Sequence, residues 1–116
     1  MKDWTSYDDV AEIYERVHAP RLAAPGRDLL TFAGVAAGDR VLDVGTGTGA
    51  TAETAAGITG PSGTSMGVDM SLGMLRVARR DRPLIPVAAA VALDLPFRNG
   101  AFDVAVANFV ISHFRD

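Results

Sequence analysis

Nine residues constrain this chain more than any others: Val41-Leu42-Asp43-Val44-Gly45-Thr46-Gly47-Thr48-Gly49. Arg40 to Val44 is short and apolar, with a β-branched residue at each end of its apolar part, which suits a buried strand. It runs directly into three glycines at alternate positions. A sharp strand-to-helix turn wants residues that tolerate positive φ. A ligand lying against the backbone wants no Cβ in its way, and the start of the following helix offers free N–H groups. A bare tight turn is the plainer reading. Three alternate glycines directly after an apolar strand weigh against it, so the segment reads as a ligand-holding loop.

The rest of the chain is organised around that unit. Upstream, Val10, Ile13, Tyr14 and Val17 form one apolar helical stripe, with Asp8, Asp9 and Glu12 in the first turns. Pro20 is expected to stop this helix. A second helix is expected after Pro25-Gly26, using Leu29, Leu30 and Phe32, and Gly38-Asp39 is a turn. Downstream, Ala50 to Ala56 is alanine-rich and helical, with Gly57 as its cap. Gly60-Pro61-Ser62-Gly63 is a turn cluster, and Thr64 to Asp69 is a second strand. Ser71 is a plausible N-cap for a helix with Leu72, Leu75 and Ala78 on its apolar side, weakened by Gly73 and broken at Asp81-Arg82-Pro83. Pro86 to Leu93 and Phe102 to Ala107 are third and fourth strand candidates, separated by a loop through Leu95 to Gly100. Strands alternating with helices imply a parallel sheet with helices packed on its faces. Ligands bind such sheets at the carboxyl ends of the strands.

Composition narrows the function classes. The chain has 116 residues, a formal net charge of -3 and no cysteine. A slightly acidic chain is a poor fit to a phosphate-tracking partner, so nucleic acid is not expected. Without cysteine there is no disulfide framework, thiolate metal site or cysteine nucleophile. His18 and His113 are the only histidines, and no metal-ligand spacing links them to the acids. No apolar run approaches the ~20 residues that span a bilayer. No membrane partner is expected, and a cytoplasmic location is the default expectation.

The loop alone leaves two ligand classes open. Gly45, Gly47 and Ala50 satisfy the looser dinucleotide fingerprint G-x-G-x-x-G/A. Two features pull away from it: the third glycine is Gly49, and Asp43 stands two residues before the first. A carboxylate there would meet a pyrophosphate badly. It would suit a ligand with an ammonium group and no phosphate, and S-adenosylmethionine has both that ammonium and a cationic sulfonium.

Val41 to Gly49 resembles the first motif of the class I S-adenosylmethionine-dependent methyltransferases. Gly67-Val68-Asp69-Met70-Ser71 is similar to the second motif. Leu95-Pro96-Phe97, Ala101-Phe102-Asp103-Val104 and Asn108 to His113 resemble the stretch through the fourth strand of the small-molecule branch. Tyr7-Asp8-Asp9-Val10-Ala11 and Tyr14 resemble its leading helices, which cover the cofactor. The resemblance covers nearly the whole chain. It implies a Rossmann-like α/β fold: a truncated parallel sheet of about four strands, helices on both faces and N-terminal covering helices. Residues 1–39 would be the helical cover and 40–116 the N-terminal half of the cofactor-binding domain.

The resemblance also implies residue roles. Asp69 would accept the ribose hydroxyls and Met70 would pack on adenine. Gly45, Thr46, Gly47 and Gly49 would form the loop around the cofactor, with Asp43, Tyr14 and Asn108 completing the set. The acid that ordinarily receives the adenine amino group is replaced by Val91. Asp94, three residues on, is one substitute; the backbone of Ala92 and Leu93 is the other. The family domain continues through three more strands, whereas this chain stops at Asp116. The expectation is the N-terminal half of a longer enzyme, with a bare fourth-strand edge at Val104 to Ala107 that invites self-association.

Methyl transfer from a sulfonium is an in-line displacement on an activated carbon. The protein must align the partners and exclude water, and a base is needed only if the acceptor must lose a proton. No triad is present. His113 could act as a base or an acceptor contact; the plainer and preferred reading is a polar residue at a helix start. Three functions stay open: methyl transfer to a small-molecule acceptor, non-catalytic binding of S-adenosylmethionine or its demethylated product, and nicotinamide dinucleotide binding.

Overall fold

The computed structural model describes residues 11, 16, 19–90, 97 and 100–107. Helix α1 spans Ala19–Phe32, strand β1 Arg40–Val44, helix α2 Ala50–Thr59, strand β2 Thr64–Asp69, helix α3 Leu72–Asp81, strand β3 Val87–Ala89 and strand β4 Val104–Val106. The strands form one parallel sheet in the order β3-β2-β1-β4. The chain moves outward from β1 through β2 to β3, then returns to the other side of β1. This Rossmann-like order places a topological switch point between β1 and β4, and the crevice there opens at the carboxyl ends of the strands.

Burial explains why β1 is central. Val41, Leu42 and Asp43 are all buried in succession. Successive strand side chains point to opposite faces, so both faces of β1 are covered. Val41 joins Leu30, Ala55 and Val106 in one core cluster, with Leu29, Val35, Ile58 and Val104 packed against it. That cluster draws on α1, α2, β1 and β4, and so fixes the strand that carries the loop. A second cluster joins Ala11 to Met74 and Val77 of α3.

Several element boundaries differ from expectation. The helix that Pro20 was expected to stop lies almost entirely outside the described residues; Pro20 itself lies in the first turn of α1, where a missing N–H costs nothing. Pro25 lies inside the same helix rather than ahead of a second one. The packing of Leu29 and Leu30 holds the helix through the bond that Pro25 cannot make. Phe32, expected on the apolar face, is 90% exposed at the helix end. Gly57 is interior to α2, and the cap is Gly60, whose N–H donates to the Ala56 carbonyl. The extra turn brings Ile58 to the core and buries Thr59. In α3 the buried set is Gly73, Met74, Leu75, Val77 and Ala78, while Leu72 faces solvent. Ser71 does cap α3, its hydroxyl accepting the Met74 N–H at 3.2 Å. β3 and β4 are shorter than the runs that suggested them, and residues 91–96 lie outside the described residues.

Candidate functional site

The loop from Gly45 to Gly49 leaves the carboxyl end of β1 and becomes α2 at Ala50. Gly45, Gly47 and Gly49 have φ of 69°, 59° and 92°. All three are left-handed, where a Cβ is strained, so the alternate glycines follow directly from the backbone path. Gly49 is the N-cap of α2 and supplies no side-chain acceptor.

Two bonds tie this loop to the end of β2. The Thr46 N–H donates to the Val68 carbonyl at 2.8 Å. The Gly47 N–H donates to Asp69 Oδ2 at 2.8 Å, while Asp69 Oδ1 accepts the Ser71 N–H at 2.9 Å. Asp69 is thus a bracket between the loop and the start of α3. It is half-buried, as is Met70 beside it. A carboxylate oxygen has more than one acceptor position, so Asp69 can hold the loop and still receive a hydroxyl.

Asp43 lies in β1, one residue before its carboxyl end. It is 2% exposed and lies beneath the loop. Its Oδ2 accepts the Thr46 hydroxyl at 2.7 Å. Burial pushes its carboxyl up to about 7, opposed by the Thr46 hydroxyl, reinforced by the charge of Asp69 and opposed again by the Ala52 amide. In this geometry the carboxyl group supports Thr46 of the loop.

Two contributors were not read from the sequence. Gly67 is one. A Cβ there would lie 2.6 Å from the Cβ of Thr46, so β2 accepts the loop only because position 67 has no side chain. A glycine inside a strand is a signal for such close approach and could have been used. The other is Arg82, read only as part of a helix break. Its Nη1 donates to the Thr48 carbonyl at 3.0 Å and its Nε to Glu53 Oε1 at 3.2 Å. No local pattern marks it, because the loop lies 34 residues earlier in the chain.

Asp103, in the segment that resembles the stretch through the fourth strand, is placed away from this edge. It accepts the Arg40 N–H at 2.8 Å and forms an ion pair with the Arg40 guanidinium at 3.0 Å. Arg40 begins β1 and Val104 begins β4, so this pair ties the amino ends of the two strands. The Arg40 guanidinium holds the Asp103 carboxyl below the usual range. Tyr14, Val91, Ala92, Leu93, Asp94, Asn108 and His113 lie outside the described residues. Among the described residues no group of three or more His, Cys, Asp or Glu could hold a metal, and no helix is long and apolar enough to cross a membrane.

A family described as a methyltransferase domain matches residues 41–116, which begins at β1 and takes in the loop, Asp69 and Arg82. The chain belongs to this methyltransferase family. The chain is 34% identical over 110 residues to a demethylmenaquinone methyltransferase of Paenarthrobacter aurescens, covering 90% of this chain and 42% of that protein. It is 32% identical over 115 residues to the nocamycin O-methyltransferase of Saccharothrix syringae, covering 95% of this chain and 41% of that protein. The chain therefore spans less than half the length of these relatives. A SAM-dependent methyltransferase structure from Aquifex aeolicus superposes with a TM-score of 0.70 at 20% identity, over 100% of this chain and 62% of that one. At that identity the match speaks for the fold, and it agrees with the parallel Rossmann-like sheet.

Proposed function

We propose that this chain is the cofactor-binding part of a methyltransferase that transfers a methyl group from S-adenosylmethionine to a small-molecule acceptor. The observation that carries the reading is the bracket formed by Asp69 and Gly47 at the carboxyl end of the sheet. The fit to the cofactor rests on the donor set. The loop presents backbone without side chains at its three glycines, Asp69 is a half-buried carboxylate with acceptor capacity for ribose hydroxyls, and Met70 adds an apolar surface beside it. When bound, the cofactor supplies an activated methyl on a sulfonium. The residues of this chain hold it: Asp69 fixes the loop to β2, Asp43 and Thr46 support the loop from beneath, and Gly67 leaves room for that contact.

Two relatives that differ in their acceptors, one named for demethylmenaquinone and one for nocamycin, support a small-molecule acceptor as the class. Residues 1–39 are the cover on this reading, which the packing of Ala11 against Met74 and Val77 supports. β4 borders the described sheet, with Ala105 exposed, and we place self-association at that edge. A cytoplasmic setting suits a small-molecule reaction of this kind. Titration calorimetry with S-adenosylmethionine and S-adenosylhomocysteine tests the cofactor reading: both should bind at one site per chain. Binding of neither would reduce the chain to a fold without the site.

A further inference from the structure

We infer that Arg82 is a positioning residue that locks the Thr48–Gly49 peptide in the orientation the cofactor loop needs. The inference rests on the cofactor reading above for its consequence, but its geometry stands apart from it. Arg82 is the C-cap of α3, and its own N–H donates to the Ala78 carbonyl at 2.8 Å, so its backbone is fixed by the helix end. From there its side chain, 14% exposed, reaches back to the first helix after the loop. Its Cδ lies 3.4 Å from the place a Cβ on Gly49 would occupy, so the aliphatic stem covers Gly49. Its Nη1 holds the Thr48 carbonyl and its Nε holds Glu53 in the first turn of α2.

The Thr48 carbonyl and the Gly49 N–H belong to one planar peptide. Fixing the oxygen fixes the direction of the N–H, and that N–H closes the loop by donating to the Thr46 carbonyl at 2.9 Å. The Gly49 carbonyl in turn receives the Glu53 N–H at 2.9 Å, the first bond of α2. A peptide beside a glycine at φ 92° meets little steric resistance to rotation. The guanidinium supplies that resistance. Thr48 is 1% exposed, so its carbonyl is bonded in a setting where a charged donor counts for more than at the surface. Glu53 is 58% exposed, and the ion pair to it contributes less.

The test uses Arg82→Ala, Arg82→Lys and Glu53→Gln in the full chain, with circular dichroism to follow the fold. Amide hydrogen exchange of the ligand-free protein should show Gly49 and Glu53 exchanging about tenfold faster in Arg82→Ala while Leu42 is unchanged, as expected for a local opening. Affinity for S-adenosylhomocysteine should fall about tenfold in the same variant, and Arg82→Lys should recover to within about threefold, because an ammonium can still donate to the Thr48 carbonyl. Glu53→Gln should move neither readout by more than about twofold. Unchanged exchange at Gly49, equal acceleration of every amide, or a Glu53→Gln effect matching Arg82→Ala would each overturn the inference. If the wild-type chain binds no S-adenosylhomocysteine, the cofactor reading fails and the exchange at Gly49 alone decides whether Arg82 locks the loop. Should Arg82→Ala not fold, Arg82→Met keeps the aliphatic stem over Gly49 and removes the donors: a roughly tenfold gain in exchange at Gly49 supports the lock, and no gain over Glu53→Gln overturns it.

Discussion

The carboxylate of Asp69 accepts the Gly47 N–H at 2.8 Å, across 22 residues of chain, and so joins the glycine loop of β1 to the end of β2. This bond makes Asp69 both a part of the loop's geometry and the residue expected to meet the ribose. Asp69→Ala removes both. The affinity for S-adenosylhomocysteine should fall by roughly 1.5–3 kcal/mol, the range for losing hydrogen bonds to a charged group. Titration calorimetry measures it, and an unchanged affinity would mean that another acid holds the ribose.

Asp43 predicts a dependence of stability on pH. Its folded-state carboxyl stands at about 7, well above the ordinary value of 3.8. Between those values the folded chain binds a proton that the unfolded chain has released, so stability falls as pH rises and levels off above about 7. Asp43→Asn keeps the shape and an acceptor for Thr46 but cannot ionise. The stability of wild type relative to Asp43→Asn should therefore drop by about 2 kcal/mol between pH 5 and pH 8, measured by urea denaturation. A difference that is constant with pH, or that grows, would contradict the buried acid beneath the loop.

Gly67→Ala should disturb the loop through a single methyl group. Its Cβ would crowd the Cβ and Cγ2 of Thr46, both 2.6 Å away. Overpacking of this kind costs about 1–3 kcal/mol. Thermal denaturation should show the loss, and a second change, Thr46→Gly, should recover part of it by removing the obstructing side chain. No recovery in the double variant would show that the clash lies elsewhere.

Asp103 gives a contrasting expectation. Its partner is Arg40, at the amino end of the sheet. Both side chains are largely exposed, so Asp103→Asn should leave cofactor affinity within about twofold of wild type. A larger loss in calorimetry would place Asp103 in the site.

The β4 edge carries a prediction about assembly. Light scattering coupled to size-exclusion chromatography should show a mass that rises with protein concentration. Ala105→Lys, which puts a charge on an exposed edge position, should return the chain to its monomer mass. A single monomer peak at every concentration of the wild-type chain would remove the proposal.

The strand, loop and helix around Gly45 to Gly49 were legible in the sequence because each is set locally, by an apolar run, by positive φ and by helix-forming alanines. Ser71 was legible for the same reason, since a cap is a bond between residues three apart. The boundaries of α1 and α2 were not. Pro25 and Gly57 are local signals for interruption, and tertiary packing of Leu30 and Ile58 overrides them. Asp43 was legible as an acid ahead of the loop, but its burial was not, because packing on both faces of β1 sets it rather than the local pattern. Arg82 was illegible: nothing near position 82 reports that Thr48 lies beside it.

The most direct test of the account is a competitive calorimetric titration of S-adenosylmethionine, S-adenosylhomocysteine and a nicotinamide dinucleotide into wild type and Asp69→Ala. The account predicts that the two adenosyl ligands bind the wild-type chain, that the dinucleotide does not, and that Asp69→Ala weakens both adenosyl ligands together. Binding of the dinucleotide alone, or adenosyl binding that ignores Asp69, would contradict it.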